Sequence, residues 1–409
     1  MSDIWEHSCV ISGIGISDIG RRTGVPGLTL TEVAARDAVA DAGLTMADID
    51  GLTTAGETPL PEVRALLGIE PVWTGQGGSP VGGVFGAVLN ACEAVAAGKA
   101  RHVLVYRSVA MLGGSVLQQM QRAGAGAGGG AGGRTDAAAP PAARPAGAPR
   151  GGGAPAELGG TSELLSYHAY SAVNWIAMHA RRHMHLYGTT KEQIGSFVIN
   201  SRRNAALNPR AVYRDPLTMD DYLTARPISD PLGLYDCDTP IDGAIGIVVS
   251  HADYAPDAPN HPVRVNAAAR AAGAGGWTYR PDYPKMASVD AAATLWNRTD
   301  LTVADLDVAE IYDGFSFLTL AWLEALGICG TGEAGPYVEG ATRIALDSAL
   351  PLNTYGGQLS AGRMHGYWVL HEACTQLRGD AGERQVANHE VAVVSTSGGP
   401  IATCMLLTR

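Results

Sequence analysis

Apolar and polar positions along the chain alternate between two periods. "HSCVISGIGIS" (His7–Ser17) is an apolar, β-rich run ending in a glycine turn. "TLTEVAARDAVADAGLT" (Thr29–Thr45) follows with helical apolar spacing, and Thr29 and Glu32 stand at capping-box distance, which predicts a helix capped there. "SPVGGVFGAVLNACEAVAAGKARHVLVYRS" (Ser79–Ser108) repeats the order: a small-residue helix up to Gly98, a tight link, then a strand over Val103–Tyr106. "SAVNWIAMHARRHMHLYG" predicts a helix closed by Gly188, and "TTKEQIGSFVINSRRNAALNP" predicts a second. Strands alternating with helices imply an α/β fold with helices packed on the faces of a sheet.

The pattern is duplicated. "LTMADIDGLTT" at Leu44 and "LTVADLDVAEI" at Leu301 share L-T-x-A-D-[IL]-D, each after an Ala-rich helix and before a short apolar segment. "NACEAVAAGKARHVLV" and "HEACTQLRGDAGERQVANHEVAVV" each pair a helix with a closing strand across a polar break. Two halves of similar topology follow, residues 1–258 and 259–409. Residues 123–160 interrupt the first half with Ala, Gly and Pro and almost no apolar bulk, the composition of a mobile insertion.

Composition narrows the function. A length of 409 residues with 46% hydrophobic positions can bury a large interior. A net charge of −11 disfavours nucleic acid, whose binding rests on clustered Lys and Arg. The N-terminus lacks the basic-then-apolar pattern of a signal peptide, and no apolar run reaches membrane-spanning length, so a cytoplasmic location is expected. Six scattered cysteines without CxxC spacing suggest neither a zinc site nor a disulfide framework. His179, His183 and His185 lack carboxylate partners and HExxH order, and read as the polar face of their helix rather than as metal ligands.

The two-half pattern, "DCDTPIDGAIGIVVS" (Asp236–Ser250), "EIYDGFSF" (Glu310–Phe317), "NTYGGQLSAGRMHGY" (Asn353–Tyr367) and "STSGGPIATCMLL" (Ser395–Leu407) together resemble the thiolase superfamily, in its sterol-carrier or lipid-transfer branch. The resemblance implies the thiolase fold, two βαβαβαββ halves in five αβαβα layers. It also exposes what is missing. Where relatives carry a nucleophilic Cys the chain has Val81. Arg363 replaces the activating His, Thr396 the second Cys, and Tyr312 the His of the H-D-x-F block. Thiolysis through an acyl-enzyme is therefore not expected.

Stabilising negative charge on a thioester oxygen also serves cleavage of a β-hydroxyacyl thioester, which needs no covalent nucleophile. The substitutions are similar to those of the steroid side-chain aldolases of bacterial sterol catabolism. That resemblance implies Tyr312 and Tyr367 as an acid–base pair with either order of roles, a coenzyme A thioester as substrate with no tightly bound cofactor, and a steroid ketone and propionyl-CoA as products. It further implies a homodimer joined to a DUF35-type OB-fold and zinc-ribbon protein. Tyr355 is a third proton-transfer candidate. His365 and Arg363 are expected to supply positive charge, Arg363 because it stands four residues before Tyr367, one helical turn away. Gly356 and Gly357 are expected to let a thioester approach closely, and Gly398 and Gly399 to aim backbone N–H groups at an oxyanion. Asp313 reads as the cap of the helix after it. A catalytically silent acyl-CoA-binding scaffold for a partner enzyme, and a plain thiolase, are the alternatives. Convergence of the tyrosine hydroxyls on one cleft distinguishes the enzyme from the first, and a Cys sulfur in that cleft would support the second.

Overall fold

The structure, a computed structural model, describes residues 5–76, 83–110, 162–273 and 276–409. The 123–160 insertion and Val81 lie outside the described residues. Among the described residues eleven strands form: β1 (Cys9–Ile16), β2 (Gly51–Thr54), β3 (Trp73–Gln76), β4 (His102–Ala110), β5 (Pro227–Ser229), β6 (Leu232–Gly233), β7 (Asp242–His251), β8 (Val263–Ala272), β9 (Val308–Glu310), β10 (Val391–Ser397) and β11 (Ile401–Thr408). Nine of them run in the order β3-β2-β4-β7-β1-β8-β11-β10-β9.

That order is two copies of one topology. In the first, β2 and β4 are parallel, β4 and β7 antiparallel, and β7 and β1 antiparallel. In the second, β9, β10, β11 and β8 repeat those relations in turn. The counterpart of edge strand β3 shrinks to one parallel bridge, Leu352 beside Ala309. The copies meet where β1 touches β8 through Val10–Arg264 and Ile11–Val263.

The repeated L-T-x-A-D-x-D segments do the same job twice. Asp48 accepts hydrogen bonds from Thr45 N (2.8 Å) and Oγ1 (2.6 Å), and Asp305 accepts them from Thr302 N (2.7 Å) and Oγ1 (2.8 Å). The closing Asp of each repeat then pins the start of a distant strand. Asp50 accepts from the backbone N–H groups of Arg101 and His102 at β4, and Asp307 from those of Glu390 and Val391 at β10.

Strand alternation divides the interior into layers. Along β4, Val103 and Val105 face one core while Leu104 and Tyr106 face another. Along β11, Met405 and Leu407 join the first of these cores and Cys404 and Leu406 a third. Helices Gly86–Ala96 and Tyr367–Arg378 share the first core and so lie between the two halves. Helices Gly27–Asp41 and Leu60–Leu67 cover the outside of one half, and Ser288–Trp296 and Ser316–Ala325 the outside of the other. This is the expected αβαβα stack. Charge ties its members: the buried Glu6 pairs with Arg298, and Arg378 donates to Asp41 Oδ2 at 2.7 Å and to Ser12 O at 3.1 Å.

Two local expectations give way. The first helix starts earlier than the Thr29 cap, at Gly27 after Pro26, and Thr31 Oγ1 donates back to Gly27 O at 2.7 Å. The histidines of Ala172–Tyr187 are not all a solvated face. His179 and His183 are buried, because the helix packs under the segment from Trp277 to Pro284. Each ring nitrogen of His179 meets a backbone carbonyl, and His183 Nε2 meets Glu324 at 2.8 Å.

Candidate active site

A cleft of about 290 Å³ opens where the second half's loops meet the helix Ala172–Tyr187. Its apolar walls come from Trp175, Ile176, Trp277, Phe315, Leu318 and Ile401, and its polar side chains are Tyr312, His365 and Ser397. The indoles of Trp175 and Trp277 lie 5.5 Å apart and tilted 43° to one another, giving an aromatic wall for an apolar ligand. Gly399 makes this possible, since a Cβ there would stand 2.4 Å from Trp277 Cη2.

Tyr312 leaves β9 and is held by its own N–H, which donates to Ser395 Oγ at 3.1 Å. Its ring lies over Gly314, where a Cβ would come within 2.8 Å of the hydroxyl oxygen. Burial raises the Tyr312 hydroxyl above its ordinary value and Asp238 adds to this, while Arg363 and the Gln358 side chain pull the other way. Asp238 is itself pushed up to about 6 by burial, against the pull of Arg363, which donates to it at 3.2 Å.

Tyr367 opens its helix after Gly366, whose φ of +93° is the left-handed turn glycine accepts readily. Its hydroxyl donates to Val84 O at 3.1 Å, and Val84 lines the cleft. The ring packs edge-on against Phe85 at 5.7 Å. Burial raises this hydroxyl too, opposed by the Arg107 cation. Tyr312 thus lines the cleft, whereas Tyr367 is not among its lining residues and meets it only through the carbonyl of Val84.

Arg107 was not singled out in the sequence. It sits in the middle of β4, buried, donating to Ala55 O and, at 2.8 Å, to His365 Nδ1. Both tyrosines lie within its electrostatic reach. The available signal was a lone charge in the apolar run "VLVYRSVA", which a buried strand accepts only for a reason.

Other candidates fall elsewhere. Tyr355 is fully buried and stacked on Trp368 at 5.3 Å; among the described residues its hydroxyl has no hydrogen-bond partner, and it does not line the cleft. Gly356 and Gly357 lie off the cleft. They are glycines because φ is +104° and +65° and because a Cβ would press 2.4 Å from Ala205 Cβ and 2.0 Å from Asp313 Oδ2. Gly398 commits its N–H to Ile401 O at 3.0 Å, so that group is not aimed at an oxyanion. Arg363 is not a helical neighbour of Tyr367, because the helix begins only at Tyr367; Arg363 lies in the preceding turn, paired with Asp238. His365 supplies no positive charge: burial, then Arg107 and Arg363, hold its pKa well below the ordinary value. Asp313 caps a different element from the one expected. Its carboxylate accepts from Gln358 N at 2.8 Å and Leu359 N at 3.4 Å, fixing the turn that presents Gln358 to Tyr312.

None of the six cysteines lines the cleft. Burial pushes the thiols of Cys237, Cys329 and Cys374 up to about 12, the reverse of an activated nucleophile. Among the described residues no group of three His, Cys, Asp or Glu side chains is placed to hold a metal ion.

The thiolase C-terminal domain-like family model matches residues 270–407. The chain is 34% identical to the 17-hydroxy-3-oxo-4-pregnene-20-carboxyl-CoA lyase of Mycobacterium tuberculosis, over 97% of this chain and 98% of the relative. It is 32% identical to the steroid side-chain-cleaving aldolase of Thermomonospora curvata, over 98% and 97% respectively. Among solved structures, an Ltp2-ChsH2(DUF35) aldolase superposes with a TM-score of 0.84 at 29% identity, covering 98% of each chain.

Proposed function

The chain belongs to the steroid side-chain-cleaving aldolases of the thiolase superfamily, and we propose from this that it cleaves a carbon–carbon bond of a steroid β-hydroxyacyl-CoA by a retro-aldol reaction. The observation that carries the reading is the cleft itself. Where a thiolase requires a thiolate, this cleft has Tyr312, with the Tyr367 hydroxyl behind it on the backbone of the lining residue Val84, and no cysteine.

The M. tuberculosis relative is named for a substrate with a hydroxyl at C17 and a CoA thioester on C20. That hydroxyl is β to the thioester carbonyl. A base removes its proton, the C17–O⁻ electrons form the ketone, and the C17–C20 bond breaks. Its electron pair forms an enolate with the negative charge on the thioester oxygen. An acid then protonates C20, releasing propionyl-CoA and a 17-ketosteroid. No atom is gained or lost and no cofactor is consumed. Burial raises both hydroxyls; Arg107 opposes this at Tyr367, and Arg363 and Gln358 oppose it at Tyr312, where Asp238 adds to it, so the two tyrosines are the acid–base pair of this reading. The aromatic wall of Trp175 and Trp277 takes the rings.

A DUF35-type partner fits this reading, because the similar solved structure is titled as a complex with one. Tyr167 and Tyr170, 83% and 64% exposed, immediately precede the helix whose first turn lines the cleft and offer that partner an aromatic surface. A homodimer fits the outer edge of β3, which among the described residues pairs with no further strand. Six unpaired cysteines fit a reducing cytoplasm, and among the described residues no helix is long and apolar enough to cross a membrane.

The test is incubation of the chain, with and without a DUF35-type partner, with a β-hydroxyacyl-CoA bearing a tertiary hydroxyl. Ketone and short acyl-CoA should appear in equal amounts. No product in the presence of the partner overturns the reading, and full activity in Tyr312→Phe and Tyr367→Phe overturns the tyrosine roles.

A further inference from the structure

Arg107 is an expensive residue to keep. It is 6% exposed, and among the described residues its hydrogen bonds go to a backbone carbonyl and an imidazole rather than to a carboxylate. Its Nε has no hydrogen-bond partner among the described residues. A buried cation without a paired anion costs several kcal/mol, so an apolar residue in this β4 position would give a more stable fold unless the charge has work to do. Among the described residues its side-chain hydrogen-bond partner is His365, which lines the cleft.

The chemistry of that contact fixes a proton. A guanidinium has only donors, so at 2.8 Å from Arg107 Nη2 the Nδ1 atom of His365 must be the acceptor. The imidazole's own proton is then on Nε2, which has no hydrogen-bond partner among the described residues. The His365 backbone takes a φ of +52°, uncommon for a residue other than glycine. The adjoining positive charges and burial keep the ring neutral, so it can donate from Nε2 without adding a second cation.

We propose that His365 is a catalytic hydrogen-bond donor, presenting Nε2–H to the thioester oxygen as negative charge develops there, and that Arg107 is the positioning residue that fixes this tautomer through Nδ1. The proposal rests on the retro-aldol reading and adds an oxyanion donor that the Gly398 N–H, turned to Ile401 O, does not provide. Such a donor is preorganised: the Arg107–His365 bond exists before substrate binds, so no reorientation is needed as the enolate forms.

Two measurements test it separately. In protein carrying 15N-labelled histidine, the imidazole shifts of His365, assigned by comparison with His365→Gln, should show an unprotonated Nδ1 and a protonated Nε2. Arg107→Gln, which keeps an N–H donor, should preserve that pattern, and Arg107→Met should lose it. A wild-type ring protonated on Nδ1 overturns the proposal whatever the activity. In the cleavage assay with partner present, His365→Gln places an amide nitrogen near the ε position and His365→Asn near the δ position. His365→Gln should stay within about tenfold of wild-type kcat, whereas His365→Asn and His365→Ala should lose about 10²–10³-fold in kcat with little change in KM. Equal activity of the Gln and Asn variants, or an Ala variant close to wild type, overturns the donor role. A wild type that cleaves nothing overturns the retro-aldol reading and the donor role with it, while the 15N shifts still decide the Arg107 contact.

Discussion

Replacing Asp313 by Asn should change how stability responds to pH, and the size of the effect follows from its surroundings. The carboxyl is fully buried between β9 and the Gly357–Ser360 turn, and its pKa rises from 3.8 to about 7 because burial outweighs the N–H groups of Gln358 and Leu359. The folded protein therefore keeps a proton that the unfolded chain releases near pH 4. The sign follows: this group's stability contribution is greatest below the unfolded value and is lost as pH rises through the folded one. A gap of roughly three pH units corresponds to about 4 kcal/mol in full, of which about 2.5 kcal/mol falls between pH 5 and pH 8. Asn cannot titrate. It keeps one acceptor for Gln358 N but gives up the second oxygen, at a cost of about 1 kcal/mol independent of pH. Urea unfolding of wild type and Asp313→Asn at pH 5, 6, 7 and 8 should show the variant less stable at pH 5. It should gain about 2.5 kcal/mol on wild type by pH 8. Parallel curves for the two proteins would refute the buried-proton argument.

Tyr312→Phe and Tyr367→Phe should each lower kcat by about 10²–10⁴-fold. Tyr367→Phe keeps the ring's contact with Phe85 and loses only the bond to Val84 O, so its melting curve should reflect a loss of about 1 kcal/mol. Gly399→Ala drives a methyl into Trp277 and should raise KM for a steroid thioester about tenfold or more, with an accompanying shift in tryptophan emission. Glu6→Gln removes the charge opposite Arg298 and should cost about 3 kcal/mol in urea unfolding without altering kcat.

The duplicated architecture was legible because its signals are local. Thr and Asp three apart cap a turn wherever they occur, and an Asp two residues on can pin a strand start only if one lies beside it, so repeating the pair repeats the fold. Glycine in the C-terminal turn was legible as a constraint but not as a cause. Gly356 and Gly357 answer to Ala205 and Asp313, partners 151 and 44 residues away in sequence, and nothing in "NTYGG" says so. Tyr355 and Tyr367 look alike along the chain; only tertiary packing puts one against Trp368 and the other's hydroxyl at Val84. Arg107 escaped for the opposite reason: its strand reads as apolar core, and its partner His365 lies 258 residues on.

The central claim is that a carbon–carbon bond breaks by enolate formation without thiolysis. The most direct measurement follows cleavage of the tertiary β-hydroxyacyl-CoA in D₂O, with the partner present and free CoA varied from none to excess. The account predicts turnover independent of free CoA, one deuterium at Cα of each released short acyl-CoA, and one ketone per acyl-CoA. A rate that requires free CoA, or a product acyl group formed with no ketone, would contradict it.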